Sequence, residues 1–316
     1  MTYSSGGLIQ ATDYNGFADT TVGANINATW NTAYGQTALS TVAAAGTVSA
    51  TQWASLVNTT ASLGTHTNTT ITARSAPTAG TTISVLAAVN TDITNVYNNR
   101  YNAYAVGSQF TGWTGTNSKT TDTSGATWTI TFTNTITWAS AAAANYFFNA
   151  GGLIKVEFAK SSTGATGDPE WNDLANTLCG DIWISGLATS HTIAGVDYTG
   201  TTKIGGAGTP TVLSTGTGWD ALVNAAPPTV IYQQAADTAP YTNNYISLQA
   251  QKNTSSTVLT LYAYWVASDG DPITGGTAPS GATPGTAPCT IVTYYPPETT
   301  YLTNSWGTPT VAATTV

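Results

Sequence analysis

The chain has 316 residues, 41% of them hydrophobic, enough for two ordinary domains and a sizeable core. Only 7% are charged and the net charge is −8, against roughly 25% charged residues in an average soluble protein. This excludes the clustered cations that nucleic acid or an anionic membrane would need, and it excludes a surface kept soluble by mixed charge. The cations Arg74, Arg100, Lys119, Lys155, Lys160, Lys203 and Lys252 are scattered. The surface must be Thr, Ser, Asn, Gln and Gly, which desolvate cheaply and suit a chain packed against copies of itself or other partners. Met1 to Gly7 contain no cationic or apolar signal segment, and no apolar run approaches the ~18 residues of a membrane span. The expectation is cytoplasmic synthesis, without a standard export signal or a membrane anchor.

The first hundred residues carry a repeated phrase. Ile9-Gln10-Ala11-Thr12-Asp13-Tyr14-Asn15-Gly16-Phe17 is echoed by Val48-Ser49-Ala50-Thr51-Gln52-Trp53-Ala54-Ser55-Leu56. Each copy offers a Thr for N-capping, then an aromatic and an apolar residue three positions apart, the start of an amphipathic helix. Trp53, Leu56, Val57 and Leu63 extend the second helix. Ile83, Leu86, Val89, Ile93, Val96 and Tyr97 form the best 3.6-residue pattern in the chain. Residues 1–105 therefore read as short helices joined by Gly/Thr/Asn loops, an assembly or attachment region.

From about Gly107 the period becomes two. Between Trp128 and Trp138 every even position except Asn134 is large and apolar and every odd one is Thr, as a half-buried antiparallel strand requires. Ile154, Val156 and Phe158 alternate with Lys155 and Glu157 in the next strand. One helix interrupts the region near 169–180: Asp168-Pro169-Glu170 supplies a cap, a Pro at N1 and an early acid. Trp171, Leu174, Ala175, Leu178 and Ile182 form its stripe, with Gly180 near its stop. Further strands are expected at 229–233, 245–250, 258–266 and 289–295. The fold class is mainly β or α+β: a small helical N-terminal region, then an antiparallel β-sandwich-like domain over 106–269. Residues 270–316 read as a Gly/Pro-rich linker, a final strand and an aperiodic docking tail.

Chemistry-bearing patterns are scarce. His66, placed in a loop after Gly64-Thr65, reads as a solvated or hydrogen-bonded side chain, and His191 likewise; no zinc spacing surrounds either. Asp168, Glu170 and Asp173 are explained by helix capping and dipole, and Asp269-Gly270-Asp271 reads as a turn, not a calcium loop. Gly205-Gly206-Ala207-Gly208 after Lys203 lacks the order of a phosphate loop. Cys179 and Cys289 read as buried thiols before a disulfide across a long loop. No catalytic residue, cofactor or metal is expected. Aromatics are the exception, with 10 Trp and 16 Tyr. Tyr294, Tyr295, Tyr301 and Trp306 lie where no periodic core pattern claims them, and they are expected at subunit contacts first and glycan contacts second.

Several phrases carry a resemblance. Ala11-Thr12-Asp13-Tyr14-Asn15, Ile26-Asn27-Ala28-Thr29-Trp30, Tyr34-Gly35-Gln36, Val48-Ser49-Ala50-Thr51-Gln52-Trp53 with His66, and Asn145-Tyr146-Phe147-Phe148-Asn149-Ala150-Gly151-Gly152 resemble virion structural proteins of marine cyanophages and related tailed phages. The likeness covers much of residues 8–160 and is patchy afterwards; Ala33 stands where a Gly is common. It implies a virion location and no enzymatic activity. The implied role is a homo-oligomeric tail component (fibre, collar or baseplate-type) that builds the particle and serves host attachment. Its partners would be copies of itself, other virion proteins and a host surface glycan, with a homotrimer favoured by analogy. A capsid decoration or head-fibre protein, and a carbohydrate-binding or tailspike-like module, are the alternatives.

Overall fold

The computed structural model describes residues 10–20, 23–80, 86–101, 110–115, 127–160, 168–187, 190–193, 195–239, 241–268, 289–293 and 299–315. The chain forms two compact units, and neither is a single run of sequence. Unit 1 takes Met1–Ser108, Ala142–Gly151 and Tyr294–Gly307; unit 2 takes Gln109–Ala141, Gly152–Thr293 and Thr308–Val316.

Unit 1 is helical: α1 (Ala11–Ala18), a π-helical turn (Ala28–Ala33), α2 (Ala50–His66), α3 (Leu86–Asn98) and α4 (Ala141–Asn149). The repeated phrase builds α1 and α2, but the caps lie two residues before the expected Thr12 and Thr51. At α2, Ser49 Oγ accepts from the Gln52 N–H at 3.2 Å while Gln52 Oε1 accepts from the Ser49 N–H at 2.8 Å. This reciprocal pair satisfies amides that the first turn leaves without intrahelical partners. At α1, Asp13 accepts from the Gln10 N–H at 3.0 Å. The aromatics of the two phrases then meet: Tyr14 and Phe17 pack edge-on against Trp53, with ring centroids 5.6 and 6.0 Å away.

The loop after the π-helical turn has no sheet to satisfy its backbone, and asparagines do so instead. The Asn27 amide bonds both backbone groups of Leu39 at 2.9 and 2.8 Å. Asn15 does the same at Val42, both bonds at 2.8 Å. In α3, Val89, Ile93 and Val96 are buried as their spacing requires, and the buried Arg74–Asp92 ion pair ties the preceding segment to this helix. Ile83 lies outside the described residues.

Unit 2 contains two main antiparallel sheets. The six-stranded sheet runs β13 (Thr310–Thr315), β2 (Trp128–Thr137), β11 (Val258–Ala267), β10 (Tyr245–Lys252), β9 (Thr229–Ala235) and β8 (Val212–Leu213). The five-stranded sheet runs β1 (Phe110–Gly115), β12 (Cys289–Thr293), β3 (Gly152–Val156), β4 (Asp181–Ile184) and β7 (Thr201–Ile204). A separate hairpin joins β5 (His191–Ile193) to β6 (Val196–Tyr198). Edge strand β1 neighbours β13, and β7 neighbours β8. The alternation in β2 holds: Ile130, Phe132, Asn134 and Ile136 are buried, so the one polar residue among the even positions also faces inward. The inserted helix is short. α5 (Asp168–Asp173) passes into a π-helical turn, Leu174–Leu178. Trp171 stands between Trp128, at 4.9 Å, and Trp265 of β11, at 5.7 Å.

Three expectations need correction. Ile182 belongs to β4, not to the stripe of the inserted helix, because Gly180 at φ 69° stops the helix and lets the chain turn into a strand. A second helix, α4, interrupts the strand region; Ala-rich Ala141–Ala144 favours helix, and the buried aromatics Tyr146, Phe147 and Phe148 anchor it. The tail is not aperiodic throughout, since Thr310–Thr315 pairs with β2. The last predicted strand is present over Cys289–Thr293; Tyr294, Tyr295 and the 270–288 linker lie outside the described residues.

Candidate functional site

The broadest feature of unit 2 is the outer face of the six-stranded sheet. Directly opposed residues of an antiparallel ladder share a face, so the register reads out its surface. One row is Gln249, Tyr262, Thr133 and Thr314, and the next is Gln251, Thr260, Thr135 and Ala312. Tyr264 and Thr131 continue it in a third row, whose β10 member, Ser247, is buried. No charged side chain occurs in these rows. The two tyrosines stack at 6.4 Å with 24° between ring planes, and the Gln251 amide donates to the Tyr262 hydroxyl at 3.0 Å. Burial, and then the neighbouring Tyr262, hold the Tyr264 phenol above its ordinary pKa, so that ring stays neutral. The chemistry of this face is flat contact through hydroxyls, amides and rings, without ions to desolvate.

Of the groups that could carry catalysis, Glu170, Lys203 and Cys179 are engaged in structure. Glu170 is not simply a solvated dipole partner of its helix; it is buried and accepts from the Asn244 amide at 3.3 Å. Asp173 remains partly exposed at the end of α5, while the Asp168 side chain and Asp269-Gly270-Asp271 lie outside the described residues. The Lys203 ammonium donates to the carbonyls of Gly206, at 3.0 Å, and Gly208, at 2.6 Å. That lysine therefore closes its own glycine loop. The loop is glycine-rich because it presses on the end of the inserted helix: a Cβ on Gly206 would lie 2.5 Å from the Gly180 nitrogen. Cys179 is a buried free thiol pushed up to about 12 by burial, a non-nucleophilic state. The Cys289 side chain lies outside the described residues. Among those residues, no group of three or more His, Cys, Asp or Glu is placed to hold a metal ion.

The sequence reading of His66 is overturned. His66 is the last residue of α2, not a loop residue, and it is fully buried with neither ring nitrogen hydrogen-bonded to the protein. Tyr34, Tyr146 and Tyr301 surround it edge-on, with centroids at 4.6, 6.1 and 6.1 Å. Burial lowers its pKa to about 3, so the imidazole is neutral and packs as an aromatic ring. His191 opens the β5–β6 hairpin, and its side chain is outside the described residues.

The proposed contact aromatics separate. Trp306 is 5% exposed, edge-on to Tyr146 at 5.5 Å and Phe147 at 5.9 Å, so its own unit covers most of its surface. Tyr301 is half-buried against His66. Sequence reasoning missed Tyr262 and Tyr264 as surface residues, although their i, i+2 spacing on the polar parity of a strand was the signal. Among the described residues, no helix is long and apolar enough to cross a membrane. Searches of protein-family models, curated proteins and solved structures find no match to this chain.

Proposed function

We propose that the chain is a structural virion protein of a tailed phage, a homo-oligomeric tail component of the fibre, collar or baseplate type. The observation that carries this reading is the uncharged Thr/Tyr/Gln face of the six-stranded sheet. A monomeric protein usually guards a broad sheet with charge; this face has none, so it fits burial against a neighbouring subunit. We read the two sheets as the layers of an antiparallel sandwich, which their neighbouring edge strands and the buried inward residues of β2, β11 and β3 support. The resemblance of residues 8–160 to cyanophage virion proteins supports the particle and the tail. The trimer rests on analogy alone. The chain is proposed as non-enzymatic, because Lys203, Glu170 and Cys179 are occupied in structural roles.

Partners on this reading are further copies of the chain, other virion proteins and a host surface glycan. Antibody labelling of intact particles tests the placement. Label on the tail is expected; label on the shell would replace the tail assignment with a capsid decoration or head fibre, and unlabelled particles would end the virion reading.

A further inference from the structure

Unit 1 contains a cleft of about 600 Å³, within the roughly 300–1,000 Å³ of small-molecule sites. It opens at the surface, since Thr37, Ser40, Thr51 and Ser55 in its wall are exposed. No charged residue lines it. An ionic ligand such as a phosphate ester, a carboxylate or an amine would therefore leave water without a counter-charge.

The wall presents two kinds of group. The first is a single free ring. Of the tryptophans whose side chains are described, Trp30 and Trp128 are the ones not buried, and Trp128 packs on Trp171. Trp30 has no ring partner among the described residues, and its indole N–H donates to the Thr37 carbonyl at 2.9 Å. That bond fixes the ring's edge and leaves its face as contact area. The second is a set of hydroxyls: Thr37, Ser40, Thr51, Ser55 and Thr59 line the cleft and take no side-chain hydrogen bond from the described residues. The Gln52 amide stands among them, its oxygen already held by the Ser49 N–H, so its NH2 is presented in a fixed direction.

A rigid aromatic face, uncharged donors and acceptors, and no ion match one ligand chemistry. A pyranose ring has an apolar C–H face that stacks on indole and a rim of hydroxyls that exchange bonds with Ser, Thr and amide groups. An apolar ligand would leave the hydroxyls unsatisfied. We infer that the Trp30 cleft is a binding site for a neutral oligosaccharide. The inference deepens the attachment role proposed above, and rests on that reading only for its biological use.

The test is binding of the full-length protein to an array of neutral oligosaccharides, with sialylated and sulfated glycans alongside, followed by titration calorimetry with the best neutral binder. Binding to neutral glycans is expected. Trp30→Ala should weaken it about ten-fold, the loss that ~1.4 kcal/mol of stacking carries. Ser55→Arg, at an exposed position on α2, should block the cleft while leaving the thermal melt unchanged. The inference is overturned if no neutral glycan binds at millimolar concentration, if charged glycans bind preferentially, or if both variants bind as the wild type does. Light scattering on the same samples separates the two readings: a monomer that binds glycan keeps this inference and loses the assembly, and an oligomer that ignores glycans does the reverse.

Discussion

His66 sets the pH response of unit 1. Its folded pKa, lowered to about 3 by burial, lies below the ordinary 6.5, so between those values the unfolded chain binds the extra proton. Stability from this group is intact above about 6.5 and drains as pH falls towards about 3, with a slope of about 1.4 kcal/mol per pH unit. His66→Phe keeps the aromatic packing and has no proton to bind. Chemical denaturation at pH 7 and pH 5 should show the variant at least as stable as the wild type at pH 7 and losing less on acidification. Equal losses would mean that the buried imidazole contributes nothing to the pH response. Gly206 is the second residue with a definite consequence. Its φ is 67° and the space for a Cβ is filled by backbone on the other side of the contact, so Gly206→Ala should cost about 2 kcal/mol or more through strain and displacement. An unchanged melting temperature would contradict the close approach of the glycine loop to Gly180.

At the scale of elements, the local signals that were legible are those whose physics is local. The alternation of β2 was readable because one face is core and the other Thr; the spacing of α3 was readable for the same reason at a period of 3.6. The capping of α2 is also local, and Ser49→Ala should lower stability by about 1 kcal/mol in a denaturation titration, whereas Thr51→Ala should change it little. Short strands were not legible. Thr201–Ile204 and Val212–Leu213 are too brief for a period, and exist because neighbours supply their ladders. The same holds for β13, whose Thr and Ala residues read as tail until β2 stands beside them. Helix α4 was hidden by its own composition, since four alanines followed by three buried aromatics carry no alternation of polar and apolar faces.

Across the whole molecule, the division into units was the least legible feature. A sequence read in order gives consecutive domains, while contacts between residues distant in sequence draw Ala142–Gly151 and Tyr294–Gly307 into unit 1. The signal was present in Tyr34, His66, Tyr146 and Trp306, aromatics that no sequence period accounts for, but nothing in their spacing says that they share one cluster. The cleft beside Trp30 was illegible for the same reason: its walls come from the π-helical turn, the following loop, α2 and the segment around Thr303. Composition, by contrast, pointed directly at the surface. With 7% charged residues, some broad face had to be neutral, and the rows of β13, β2, β11 and β10 are such a face. The most direct measurement of the central claim is the solution mass of the wild type and of a Thr133→Lys/Tyr262→Lys pair, by light scattering at micromolar concentration. A defined oligomer that falls to monomer in the charged variant, with its circular dichroism spectrum retained, is the predicted result; a wild type that is already monomeric, or an oligomer indifferent to two lysines on that face, would contradict it.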